Sequence, residues 1–195
     1  MHTPAHGSQT PSDWVCRWTH LIPRQPGPAR VLDLAAGQGR HSRWLAAQGL
    51  TVLALDRDGE ALQALHDLHP QVSTRVADLE GAPWPLTGQR FDAVVVTNYL
   101  WRPLWPQLLA SLAPGGVLIY ETFAHGNATV GKPSRPDFLL QPGELLRACA
   151  ALRVVAYEDG FLPTPARYLQ RLVAVNEGPA PAHLPPPRYL LHPAG

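Results

Sequence analysis

Hydrophobic residues in this chain come in short solid runs, each followed by a turn and then by a segment with helical spacing. Residues 31–35 are apolar except for Asp33, the runs at 51–55, 91–96 and 117–123 are similarly apolar, and 72–77 reads as a more polar strand between them. Solid runs of this length suit strands buried on both faces of a parallel sheet, because a strand with one wet face would alternate. After the first run, Trp44, Leu45 and Ala47 mark a helical face that stops at Gly49, and residues 60–68 read as a helix closed by His69 and Pro70. Further helices are expected over 103–112, with Pro103 near its first position, and over 142–150. Residues 79–90 contain Gly81, Pro83, Pro85 and Gly88 and are too broken for a full helix, so the crossover after the third strand should be abbreviated. The last two runs, 152–161 and 167–176, are joined through Leu162, Pro163, Thr164 and Pro165 without a helix and should pair antiparallel.

Towards the ends the pattern fades. Residues 12–22 read as a short helix with Ser12 as N-cap and Trp14, Trp18 and Leu21 on one face, stopped by Pro23 and suited to core packing or a lid. Residues 1–11 are expected to be disordered, and the proline-dominated tail 177–195 extended and poorly ordered. One domain therefore occupies 12–176, with 12–28 as helix and lead-in and 29–176 as the core.

Composition sharpens this only a little. The chain has 195 residues, is 45% hydrophobic and carries a net charge of +1, which suits one α/β domain and gives no basic stripe of the kind nucleic-acid binders show. Lys132 is the only lysine. Cys16 and Cys149 are far apart and match no zinc spacing, so a reduced, metal-free, cytoplasmic protein is expected. Neither a secretory signal nor a membrane-spanning stretch is visible, and a monomer or homodimer is the expected state.

The chemistry gathers where the runs end. Gly37 and Gly39 allow a tight turn feeding a helix, which leaves backbone N–H groups at the carboxyl edge of the sheet. Asp33 lies in the first run, Asp56 ends the second, Asp78 follows the third, and Thr97, Asn98 and Tyr99 follow the fourth. Parallel strands share one edge, so these groups should meet in one cleft. A carboxylate after the second strand can accept both hydrogen bonds of a ribose diol, and Asp78 is placed for an exocyclic amino group.

Asp33-Leu-Ala-Ala-Gly37-Gln-Gly39, Asp56, Ala77-Asp78-Leu79 and Leu112-Ala-Pro-Gly-Gly116 together resemble the class I S-adenosylmethionine-dependent methyltransferases. The resemblance covers roughly residues 30–176, and Gly39-Arg-His41 with Tyr120-Glu-Thr-Phe123 makes it similar to small, stand-alone bacterial enzymes of the tellurite-resistance branch. It implies a doubly wound Rossmann-like α/β sheet of seven strands in the order 3-2-1-4-5-7-6 with strand 7 antiparallel. It implies that Gly37 and Gly39 pass under the methionine part, Asp56 holds the ribose, and Asp78 with Leu79 contacts adenine. Ala35, Gln38, Arg57, Ala77, Thr97 and Asn98 complete the expected cofactor lining. A nicotinamide dehydrogenase is the weaker reading, because Ser42 stands where a third fingerprint glycine would pack and Asp33 is unusual there.

The acceptor is read mainly by exclusion. Residues Asn98 to Trp101 lack the Asn/Asp-Pro-Pro-Tyr motif of amine- and amide-modifying relatives, neither cysteine lies near the edge, and no extra domain is present to hold a large substrate. An oxygen-rich or anionic small-molecule acceptor is expected to meet Arg40, His41, Tyr99, Arg102, Phe123, Asn127, Lys132 and Arg135. Glu121 and His125 are candidate bases, with Tyr99 an orienting catalytic group. The alternatives are an RNA-modifying methyltransferase or a nucleoside-binding protein without catalysis.

Overall fold

The computed structural model describes residues 10–24, 27–66, 70–178 and 185–192. Residues 1–9, the helix stop at His69, and residues 179–184 and 193–195 of the proline tail therefore fall outside the described residues. Strands β1 (Arg30–Leu34), β2 (Thr51–Asp56), β3 (Val72–Val76), β4 (Phe91–Thr97), β5 (Leu112–Phe123), β6 (Arg153–Pro163) and β7 (Ala166–Val175) form one sheet in the order 3-2-1-4-5-7-6. The first five pair parallel, while β7 runs antiparallel to both neighbours. This is the order expected from the sequence.

Helices cover the two faces. On one, α1 (Asp13–Trp18), α2 (Arg40–Ala47) and α3 (Gly59–His66) pack Trp14, Trp18, Leu45, Leu62 and Leu65 against Val31, Val52, Val95, Ile119 and Val173. On the other, α4 (Trp105–Ala110) and α5 (Glu144–Ala148) place Leu108 and Leu145 against Leu32, Val94, Leu118 and Leu172. Val31, Leu32 and Leu34 are buried on both sides of β1, as its solid apolar run requires. No helix crosses from β3 to β4; turns carry the chain, and Leu86 plugs the core where a helix would have packed.

Three element boundaries differ from expectation. The helix at 103–112 is a 3₁₀ turn over Arg102–Leu104 followed by α4, because Pro103 and Pro106 lack the N–H groups that a continuous helix needs. Leu112 instead opens β5, opposite Phe91, and the Pro-Gly-Gly turn becomes part of that strand. Asn176 stitches it in, its side chain donating to the carbonyls of Leu112 and Ala113. The first helix turns 3₁₀ over Thr19–Leu21, and α5 begins only after Gly143, whose φ of 68° stops an earlier start. In the tail, Tyr189 donates to Glu177 and the Leu190 carbonyl accepts from His20 Nε2.

Candidate active site

The sheet's carboxyl edge opens into a cleft of about 310 Å³. Its floor is Ala35, Ala77 and Leu79; Asp56, Arg57, Asp78 and Glu80 bring charge, and Asn98 with Tyr99 forms the far wall. The turn from β1 to α2 shapes the near side. Ala36 N–H donates to the Leu55 carbonyl and Gly39 N–H to the Ala36 carbonyl, which folds the chain back within three residues. Gly39 sits at φ 70°, and a Cβ there would lie 2.5 Å from the Leu65 side chain, so both backbone and packing demand glycine. Ala35 and Asn98 also adopt positive φ, 56° and 55°, one on each side of the cleft.

Asp56 is held by two backbone donors: Oδ2 accepts from Gly37 N–H at 2.7 Å and Oδ1 from Asp58 N–H at 2.9 Å. Each oxygen keeps a further lone-pair direction, so the carboxylate is fixed yet still able to accept from a diol. Asp78 accepts from Glu80 N–H at 3.0 Å, and this bond together with one from Gly81 N–H lowers its pKa, keeping it an acceptor. Gln38 lies exposed at the crest of the turn.

Asp33 does not join this lining. It is 1% exposed and accepts at 2.6 Å from the Ser42 hydroxyl, so it ties β1 to the first turn of α2. Burial raises its pKa to about 6. Serine at position 42 and aspartate at 33, the two residues that fit a dehydrogenase badly, are thus one interaction.

His41 is likewise structural. It is 2% exposed and accepts from Ser12 N–H at Nε2, 3.1 Å, while Nδ1 lies 3.3 Å from the Thr97 hydroxyl. A backbone N–H can only donate, so Nε2 is bare and Nδ1 carries the proton. Burial, then the neighbouring Arg40, lowers its pKa to about 3. Thr97 is therefore spent on His41 and does not line the cleft. Arg40, half-buried, donates to the Thr10 carbonyl at 3.4 Å.

Of the proposed bases, Glu121 is fully buried on β5, where it accepts from the Ser12 hydroxyl at 3.1 Å and lies 2.8 Å from Arg171 Nε. That approach is an ion pair outside hydrogen-bond angles. His125 is exposed on the loop beyond β5 and lines neither cavity. Tyr99 has its pKa raised by burial and by the nearby Glu80 and Asp78, so it stays protonated. Its hydroxyl is enclosed and makes no hydrogen bond among the described residues.

The expected cationic wall does not assemble. Arg102 grips Glu144 with Nε and Nη2 at 2.6 and 2.9 Å and also donates to the carbonyls of Asp137 and Leu139. Arg135 pairs with Asp137 while both stay exposed, and Lys132 is exposed too. Asn127 is buried, accepting from Tyr168 N–H and donating to the Pro133 carbonyl. These groups fold the loop over 124–141 and leave the acceptor side to others. A second cavity of about 280 Å³ opens there, sharing Glu80, Asn98 and Tyr99 with the cleft and adding Leu100, Thr122, Phe123, Pro133 and Phe138. Of the residues named from sequence for the acceptor, only Tyr99 and Phe123 line it. Phe138 also lines it, and its one signal in the sequence is a lone aromatic ring in a polar loop.

Sheet order, glycine turn and paired acids after β2 and β3 match the pattern of a class I S-adenosylmethionine-dependent methyltransferase domain. Residues 31–116 match the family model described as a methyltransferase domain. A protein-L-isoaspartate O-methyltransferase of Xanthomonas euvesicatoria is 34% identical over 133 residues, 66% of this chain and 54% of the relative. A trans-aconitate 2-methyltransferase of Variovorax paradoxus is 36% identical over 110 residues, 52% and 42% of the respective chains. The chain thus spans about half the length of the curated relatives it matches. Among solved structures, TehB from Haemophilus influenzae superposes with a TM-score of 0.63 at 21% identity, covering 76% of this chain and 57% of TehB. A methyltransferase from Mesorhizobium loti gives 0.63 at 18% identity, covering 81% and 95%. Those two likenesses are of fold.

Proposed function

We propose that the chain moves the methyl group of S-adenosylmethionine to a small-molecule acceptor by in-line displacement. The observation that carries this reading is the pair of joined cavities, one walled by Asp56 and Asp78 and the other beginning where Tyr99 ends it. Asp56 would take the ribose diol, Asp78 with Leu79 the adenine, and the turn at Gly37 to Gly39 the methionine part, with Ala35, Arg57, Ala77 and Asn98 filling the wall. The donor brings an already activated methyl group. What the protein must add is alignment and exclusion of water, which a preformed cleft supplies.

No base is needed from Glu121 or His125 if the acceptor presents a free lone pair, and neither lines the cavities. An anionic acceptor draws no support from Arg102, Lys132 or Arg135, which are paired or turned to solvent. The relatives carry different acceptors in their names, an isoaspartate and a trans-aconitate. The second cavity favours a transferase over simple nucleoside binding, and the near-zero net charge favours a small molecule over RNA. Among the described residues no helix is long and apolar enough to cross a membrane. Calorimetric titration with S-adenosylmethionine, S-adenosylhomocysteine and NADH tests the reading: the first two should bind at micromolar levels and NADH should give no heat. Heat from NADH alone would reverse the assignment.

A further inference from the structure

Which acceptor the protein takes can be read from what faces the second cavity. Asn98 follows β4, and Thr122 and Phe123 end β5, so the cavity occupies the same sheet edge as the cofactor cleft. Three aromatic residues, Phe123, Phe138 and Tyr99, line it together with Leu100 and Pro133. Glu80 is the single charged residue in its lining. The neighbouring cations are engaged elsewhere: Arg102, in the turn before α4, is locked on Glu144, and Arg135, on the covering loop, lies over the Phe138 ring while paired with Asp137.

These features fix shape and charge together. An apolar cavity of about 150 Å³ takes one benzene ring, so about 280 Å³ suits roughly two fused rings or one ring with a short side chain. Flat rings gain most from aromatic walls. A carboxylate or phosphate on such a molecule would meet Glu80 with no compensating cation in the lining, whereas an amine would gain from it.

We propose that this cavity is the acceptor pocket and selects a flat, apolar ring system bearing an amine. The proposal rests on the methyltransferase reading above. The amine is held as its ammonium beside Glu80 and must first give one proton to Glu80 or to water; the lone pair so freed forms the new N–CH₃ bond as the sulfonium C–S bond breaks, the sulfur leaves as a neutral thioether, and the positive charge passes to the methylated nitrogen. Tyr99, protonated and at the junction of the two cavities, orients; Glu80 sets the charge that is accepted.

Three probes that share one bicyclic ring test this: tryptamine, tryptophol and indole-3-acetate, each titrated by ligand-observed NMR into the protein saturated with S-adenosylhomocysteine. Tryptamine should bind tightest and indole-3-acetate weakest, with at least about fivefold between them, the size of one partly solvated charge pair. Glu80→Lys, a change at an exposed position, should reverse that order, and Phe138→Ala should weaken all three alike. Equal or tighter binding of indole-3-acetate to the unaltered protein, or an order that Glu80→Lys leaves in place, overturns the proposal. If S-adenosylhomocysteine itself fails to bind, the methyltransferase reading falls and takes this one with it. If it binds and the probes show no preference, only the acceptor class is wrong.

Discussion

Removing the Ser42 hydroxyl isolates the bond that holds the glycine turn from behind. Asp33 is fully buried and accepts from the Ser42 hydroxyl at 2.6 Å, so Ser42→Ala withdraws that donor and leaves the Ser42 backbone N–H as its remaining partner from this residue. Hydrogen bonds to charged groups contribute roughly 1.5–3 kcal/mol, against about 1 kcal/mol for neutral ones. The cost must therefore depend on pH. Asp33 has a folded pKa raised from 3.8 to about 6, so the stability it contributes is complete below 3.8 and is lost as pH rises through about 6. Ser42→Ala disfavours the charged form further and deepens that loss. The expected destabilisation is about 2 kcal/mol at pH 8 and about 1 kcal/mol at pH 5. In a chain of this length about 2 kcal/mol lowers Tm by roughly 4–8 °C. Thermal unfolding of both proteins at the two pH values, together with Asp33→Asn and the double mutant, measures the coupling. A Tm unchanged within 1 °C at pH 8, or a greater loss at pH 5 than at pH 8, would refute the reasoning.

Asp56→Ala removes the acceptor of Gly37 N–H as well as the ribose contact and should weaken S-adenosylhomocysteine binding by about 30- to 100-fold, whereas Asp78→Ala, exposed and held only by its own loop, should cost nearer tenfold; calorimetry ranks the two, and the reverse order would contradict the assigned roles. His41 has a folded pKa lowered from 6.5 to about 3, so it is neutral in both states above 6.5 and its contribution is lost progressively as pH falls from 6.5 towards 3. His41→Leu should abolish that acid-side slope in urea titrations while lowering stability at pH 7, because Ser12 N–H loses its acceptor. Gly39→Ala combines left-handed strain with a 2.5 Å contact to Leu65, and circular dichroism should show a loss of at least about 2 kcal/mol; wild-type stability would mean the turn relaxes.

Strand count and the location of the cleft were legible from sequence because each depends on local patterns, whereas the sheet order came only with the family resemblance. Solid apolar runs set the strands, turn residues punctuated them, and acids after consecutive parallel strands had to share one edge. Side-chain allegiance was not legible, since it depends on which residues 30 or 100 positions apart come into contact. Asp33 and His41 stand beside the glycine turn in sequence, yet one is claimed by Ser42 and the other by Ser12 and Thr97. Glu121 similarly looks like a free acid at a strand end until β7 brings Arg171 against it. Arg102, Lys132 and Arg135 share a charge sign that suggests a pocket, but only the fold shows that acids on the same loop and on α5 engage two of them. Pattern fixes what a residue can do; burial and partner, which only the tertiary structure decides, fix whether it is free to do it.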